Sequence, residues 1–132
     1  MKYLLDTNIC IYLMKSRPEE VSERFAQSYF GDVGISAITL AEVEYGVEVS
    51  PDKPQNEKAM ASLLEDLVVP PFDKGVARAT GILRAGAPKS QGDALDKLIA
   101  AHACALDVIL VTNNTKDFQR YPNIQLENWV NQ

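Results

Sequence analysis

The sequence is poor in the residues from which zinc sites and covalent catalysts are usually built. One histidine, His102, and two cysteines, Cys10 and Cys104, stand among 132 residues. Both cysteines fall inside apolar helical patterns and show no metal-ligand spacing. That argues against zinc and against a disulfide framework, and points to a reducing compartment such as the cytoplasm. Long apolar runs are missing too. Nothing approaches the ~18 residues that would span a bilayer, and no charged-then-apolar leader precedes the first strand, so a soluble, unprocessed protein is expected. Positive charge is scarce: 13 Lys and Arg face 18 Asp and Glu, for a net charge of −5. Such a balance excludes a protein that coats phosphates with basic residues, unless its acids hold cations. Internal repeats and low-complexity tracts are absent, and a chain of this length is read as one domain, 1–132, that buries about two thirds of its unfolded surface.

What is present is an alternation of short apolar runs and amphipathic helical patterns, as in an α/β fold with a central parallel sheet. The chain is organised around Lys2-Tyr3-Leu4-Leu5-Asp6-Thr7-Asn8. If that run is a strand, Asp6 stands at its carboxyl end, where open parallel sheets place their ligand crevice. Ile9, Tyr12 and Leu13 then recur at helical spacing with Asn8 as N-cap, predicting a helix to about Lys15. Pro18 restarts a second helix with Val21, Phe25 and Tyr29 on one face. Residues 33–36 read as a strand, and Thr39-Leu40-Ala41-Glu42 has the spacing of a capping box, which would make Glu42 an ordinary helix-start residue.

A helix over 57–67 follows from Met60, Leu63, Leu64 and Leu67, and an edge strand with a proline follows over 68–70. Asp73 is placed to cap a helix that turns Val76, Ala79, Thr80 and Leu83 inward. In Gly92-Asp93-Ala94-Leu95-Asp96 the next helix begins with Asp93 as N-cap, its oxygen turned to the backbone, and Asp96 free in the first turn. Leu95, Leu98, Ile99, His102 and Leu106 form the expected buried stripe, with His102 a hydrogen-bonded core residue. Residues 108–111 are the clearest strand, and they deliver Thr112 to Asp117 to the same edge as Asp6. A short strand over 124–126 and an anchoring Trp129 complete the chain.

Taken singly, Asp6, Glu42, Asp96 and Asp117 each have a local explanation. Taken together, all four can reach one sheet edge, where clustered carboxylates repel and take up protons unless cations lie between them. Oxygen ligands without thiol or imidazole select Mg²⁺ or Mn²⁺.

Four ordered segments then resemble a known family. Leu4-Leu5-Asp6-Thr7-Asn8, Thr39-Leu40-Ala41-Glu42 with Tyr45-Gly46, Asp96-Lys97-Leu98-Ile99-Ala100-Ala101-His102-Ala103 and Val111-Thr112-Asn113-Asn114-Thr115-Lys116-Asp117-Phe118 are similar to the signature segments of VapC-type toxins of the PIN-domain family. The resemblance implies a PIN-like domain on a parallel sheet of about five strands and an Mg²⁺-dependent endoribonuclease of a type II toxin–antitoxin pair, with Mn²⁺ able to substitute. It also implies a VapB-type antitoxin as partner, RNA as substrate and a homodimer. Asp6, Glu42, Asp96 and Asp117 are the implied catalytic and metal-holding acids, with Thr112, Asn8 and Asp93 as auxiliary residues. The chain departs from its relatives at Gly92, where the segment before Asp96 is slightly shortened, so Asp93 could substitute or assist. Asn113 stands where some relatives carry another acid, which leaves one metal or two open.

The expected chemistry is hydrolysis by a metal-activated water, with Asp6 holding the metal, Asp96 and Glu42 completing the shell and Asp117 orienting a water. A metal-free ribonuclease would need a paired acid and base, commonly two histidines. Lys15, Arg17, Arg84, Lys89 and Lys116 are candidate contacts to the RNA backbone. Two other readings compete. A phosphoryl-transfer enzyme would need a second acid where Asn8 stands, and a receiver domain would need a lysine where Thr112-Asn113 stands. A catalytically silent binding module is the other.

Overall fold

The architecture follows from two sequence periods, alternation in the strands and 3.6-residue spacing in the helices, and we describe it from a computed structural model over residues 1–89 and 92–130. Strand β1 (Tyr3–Leu5) leads into α1 (Thr7–Lys15) and α2 (Glu19–Ala26), and β2 (Val33–Gly34) leads into α3 (Ala37–Glu48) and α4 (Lys53–Glu65). After α5 (Lys74–Gly86) and α6 (Ala94–Leu106) come β3 (Ile109–Val111), the short α7 (Thr115–Phe118) and β4 (Leu126–Glu127).

The sheet is wholly parallel in the order β2-β1-β3-β4, with Leu4 opposite both Gly34 and Leu110. Four strands are present among the described residues instead of about five. The expected edge strand over 68–70 is reduced to one parallel bridge, Val68 to Gly34. Pro70 and Pro71 follow at once and lack the N–H groups that would extend it. Even that bridge requires glycine at 34, because a Cβ there would stand 2.7 Å from the Val68 carbonyl oxygen.

Alternation along β1 and β3 divides the core between the two faces of the sheet. Leu5 and Val111 face a cluster with Ile9, Cys10, Val21, Val43 and Val47, covered by α1 to α4. Leu4 and Leu110 face the other, with Leu83, Ile99, Ala100, Ala103, Phe118 and Tyr121. Both strands are therefore apolar at every position, as a strand covered on both faces must be.

Several helix boundaries differ from the sequence reading. Asp6, not Asn8, holds the N-cap position of α1. Helix α2 ends at Ala26, so Tyr29 lies beyond it and is exposed. Helix α4 starts at Lys53, with Pro54 tolerated in a first turn that needs no N–H from it. On α6, Leu95 is exposed, and small Ala100, Ala101 and Ala103 are buried with Ile99 and His102. Alanines let α6 lie close to its neighbours, something a search for large apolar residues does not detect.

Candidate active site

Because the chain runs from β1 out to β2 and later returns on the other side to β3, the strand order reverses at β1. Loops leaving adjacent strands part at such a point and open a crevice at their carboxyl ends. Asp6 stands there directly after β1, only 7 % exposed, its backbone N–H bonded to the Val111 carbonyl 2.9 Å away. Thr112, the first residue after β3 and fully buried, donates its hydroxyl to Asp6 Oδ2 at 2.6 Å and accepts the Asn114 N–H at 2.9 Å. Burial raises the Asp6 carboxyl above its usual range, while Thr112 and the backbone N–H groups of Thr7 and Asn8 pull it back. The Asn8 side chain is exposed.

Glu42 is not part of a capping box. Helix α3 begins two residues before Thr39, and its N-cap is Ser36, whose hydroxyl accepts the Ile38 N–H at 3.1 Å. Thr39 is buried inside the helix instead. Glu42 thereby moves into the second turn, where its carboxylate accepts the Thr7 hydroxyl at 3.1 Å. Thr7 was missed as a functional neighbour, although its place beside Asp6 was a signal. On the far side of the crevice Asp117 is exposed in α7 and accepts the Asn114 side-chain amide at 2.8 Å.

Asp96 lies in the first turn of α6, half-buried. Its carboxyl is pushed up to about 6, first by burial and then by the charges of Asp6, Glu42, Asp93 and Asp117. Asp6, Glu42 and Asp117 are thus each close enough to act on Asp96. Among the described residues, however, no three Asp, Glu, His or Cys side chains converge as they would around an ion. The donor set fits a hard divalent cation, being all oxygen, crowded with negative charge and free of thiol or imidazole.

Asp93 corrects another expectation. It is the N-cap residue of α6 by position, but its side chain makes no capping bond. The residue is 6 % exposed, and its carboxylate instead accepts the Tyr121 hydroxyl at 2.9 Å, with Lys97 Nζ at 3.3 Å and Arg120 Nη2 at 3.5 Å. That hydrogen bond and burial, burial first, raise the Tyr121 phenol to about 12. Lys97, Arg120 and Tyr121 carried no signal at the sequence level, since lysine and arginine on a helix face are usually solvated.

His102 is the buried core residue expected of it. Its Nδ1 meets the Ser36 hydroxyl at 2.8 Å, Phe72 packs edge-on to its ring, and burial lowers its pKa. It joins α6 to the cap of α3 and does not face the acids.

Comparison with known proteins agrees with this geometry. The PIN domain family model matches residues 3–124. The chain belongs to the PIN domain family. Among relatives of this PIN domain is a protein named tRNA(fMet)-specific endonuclease VapC from Shigella flexneri, 37 % identical with 98 % of each chain covered. Ribonuclease VapC2 from Haemophilus influenzae is 39 % identical, covering 98 % of this chain and 99 % of its own. Among solved structures, a chain of a DNA-bound VapBC from Salmonella typhimurium superposes with a TM-score of 0.88 at 36 % identity over 98 % of this chain and 99 % of that one. The DNA-bound VapBC2 complex from Rickettsia felis gives 0.84 at 36 % identity, covering 98 % of this chain and all of the matched chain. Nucleases of the PIN family work with a divalent metal. No helix among the described residues of this PIN domain is long and apolar enough to cross a membrane.

Proposed function

We propose that this PIN domain is the toxin of a type II toxin–antitoxin pair, an endoribonuclease that hydrolyses RNA phosphodiesters and is held inactive by a VapB-type antitoxin. The observation that carries the reading is a buried Asp6 fixed by Thr112 at the end of β1, with Glu42, Asp117 and a half-buried Asp96 near enough that burial and their charges push Asp96 up to about 6. Kinship with VapC ribonucleases and VapBC complexes over nearly the whole chain supports the reaction and the partner. We read residues 1–132 as one catalytic domain that works in the cytoplasm as a homodimer.

In this reading Asp6, Glu42, Asp96 and Asp117 hold the metal, Mg²⁺ with Mn²⁺ as a substitute. A divalent cation bound there supplies charge that lowers the pKa of a water and offsets the negative charge of the phosphate under attack. The protein's own residues do the rest. Thr112 fixes the Asp6 carboxylate and thereby the direction it presents to the crevice. Thr7 does the same for Glu42. Asn114 donates its side-chain amide to Asp117 and restrains that exposed carboxylate, which orients a water.

RNA backbone contacts are assigned to a trough of about 490 Å³ lined by Arg84, Lys89 and Lys97, three cations in a chain of net charge −5. Arg17, Lys15 and Lys116 are exposed and remain secondary candidates. An apolar groove of about 390 Å³ between α1, α3 and α4, lined by Ile11, Met14, Val43, Val47 and Pro51, ends at Glu42. An antitoxin segment seated there would block the acids.

The test is cleavage of RNA, beginning with the initiator tRNA that the Shigella relative is named for. Attack by water leaves 5′-phosphate and 3′-hydroxyl ends, so those ends are expected, with cleavage stopped by EDTA and abolished in a folded Asp6→Asn variant. Cyclic phosphates formed in excess EDTA would exclude the mechanism, and full activity of Asp6→Asn would exclude the site.

A further inference from the structure

Asp93 is a buried acid whose carboxylate is engaged by a phenol and two cations. Its partners come from two elements. Lys97 lies one turn on in α6, while Arg120 and Tyr121 lie just past α7. The Arg120 guanidinium is shared: Nη2 stands 3.5 Å from Asp93 Oδ2, and Nε donates to the Asp117 carbonyl oxygen at 2.8 Å. The guanidinium also packs over the Tyr121 ring, 5.5 Å from its centroid, and Tyr121 in turn packs edge-on against buried Phe118. One guanidinium thus links the residue that starts the helix of Asp96 to the backbone of Asp117 itself.

Such a link matters because α7 is a single turn and has little of its own to hold it in place. Gly92, before Asp93, has a φ of +83°, a conformation other residues avoid, so the turn into α6 is made by a residue without side-chain anchoring. Asp96 and Asp117 therefore both sit at element ends. Their separation depends on what ties those ends together, since their charges push them apart.

We propose that Asp93, Tyr121 and Arg120 form a bracket that sets the distance between Asp96 and Asp117, making Asp93 a positioning residue for the divalent cation and not one of its ligands. The inference rests on the metal-dependent reading of the acid cluster. Two cations and a phenol already engage this carboxylate, so ligating a metal would require it to give up bonds it has. Its full charge stays compensated locally by Lys97 and Arg120, so it fixes the frame while adding less repulsion than a fifth bare acid would.

The experiment uses the full chain. Mn²⁺ binding is measured directly by paramagnetic line broadening, and RNA cleavage in Mg²⁺ is measured in parallel. Residues that hold ligands in place typically change metal affinity or activity by about tenfold or more when removed. Tyr121→Phe, which removes one hydroxyl and cannot remove a ligand, should weaken Mn²⁺ binding about tenfold and lower kcat with little change in KM for RNA. Asp93→Asn should do the same, and the double variant should be no worse than the worse single one, because both break one bracket. Asp96→Asn should lose far more.

A normal Mn²⁺ affinity and kcat in Tyr121→Phe, with Asp93→Asn as impaired as Asp96→Asn, would make Asp93 a ligand and overturn the proposal. Normal behaviour of both variants would overturn it as well. Should the wild type bind Mn²⁺ at this cluster yet fail to cleave RNA, the reading of function fails while the binding measurements still decide the bracket.

Discussion

At Asp96 two effects act in the same direction. Burial disfavours its charged form, and so do Asp6, Glu42, Asp93 and Asp117, which together raise it from 3.8 to about 6. Between roughly pH 4 and pH 6 the folded protein holds a proton that the unfolded chain has already released. The contribution of Asp96 to stability therefore falls as pH rises through that window and stays lost above it. Asp6 is raised as well, with burial as the main cause, and adds to the same slope. Asparagine does not titrate, so in metal-free buffer the melting temperature of Asp96→Asn should gain on that of the wild type between about pH 4 and about pH 7. Mg²⁺ should close the gap at neutral pH by stabilising the wild type alone. Differential scanning fluorimetry across pH, with and without Mg²⁺, is the measurement. A gap independent of pH would mean that the fold does not raise Asp96.

Helix α3 illustrates how one residue can set an element and, with it, a site. Ser36 starts the helix by accepting the Ile38 N–H, and the same hydroxyl meets His102 Nδ1 in the core. Removing it takes away a cap worth about 1 kcal/mol and leaves a buried imidazole nitrogen without its partner, a further cost on the order of 1 to 3 kcal/mol. Asp73 caps α5 through the Val76 N–H from an exposed position, and it acts on His102 only through its charge. Urea denaturation should accordingly show Ser36→Ala to be destabilised by about 1 kcal/mol or more beyond Asp73→Ala. Equal losses would show that the link to His102 contributes nothing. The capping-box reading failed for the same physical reason. Two hydroxyls, Ser36 and Thr39, could each begin the helix, and only burial of Thr39 and pairing of Ser36 across the core decided between them.

Over the whole molecule the charge is uneven. Asp6, Glu42, Asp96 and Asp117 gather at the crevice, while Arg84 and Lys89 line the trough beside α6. Lys97, at the same trough, is engaged by Asp93. If RNA phosphates lie in this trough, replacing Arg84 and Lys89 by glutamine should raise KM several-fold with kcat little changed. The slope of log affinity against log salt should shrink by about 1.4, about 0.7 for each single-strand phosphate deprived of its cation. Binding measured by fluorescence anisotropy at several salt concentrations checks this. An unchanged salt slope would place the RNA elsewhere.

Sequence alone was enough for the α/β alternation, the strands ending at Leu5 and Val111, and the nearness of Asp6, Glu42 and Asp117 to Asp96. Each of these depends on local periodicity or on a residue's place at the end of an apolar run, and those patterns arise within a few residues of one another. The loss of the fifth strand to a single bridge was less legible, because it depended on Gly34 and Val68, far apart in the chain, coming within reach just before two prolines. Which way the side chains of Glu42 and Asp93 turn was beyond local pattern altogether. Glu42 is held by Thr7 from 35 residues away, and Asp93 by Tyr121 from 28. A carboxylate near a helix start has a capping role available in every case. It takes a different one only when the fold brings a hydroxyl or a cation close enough to offer a better bond, and that proximity is a property of the packed chain.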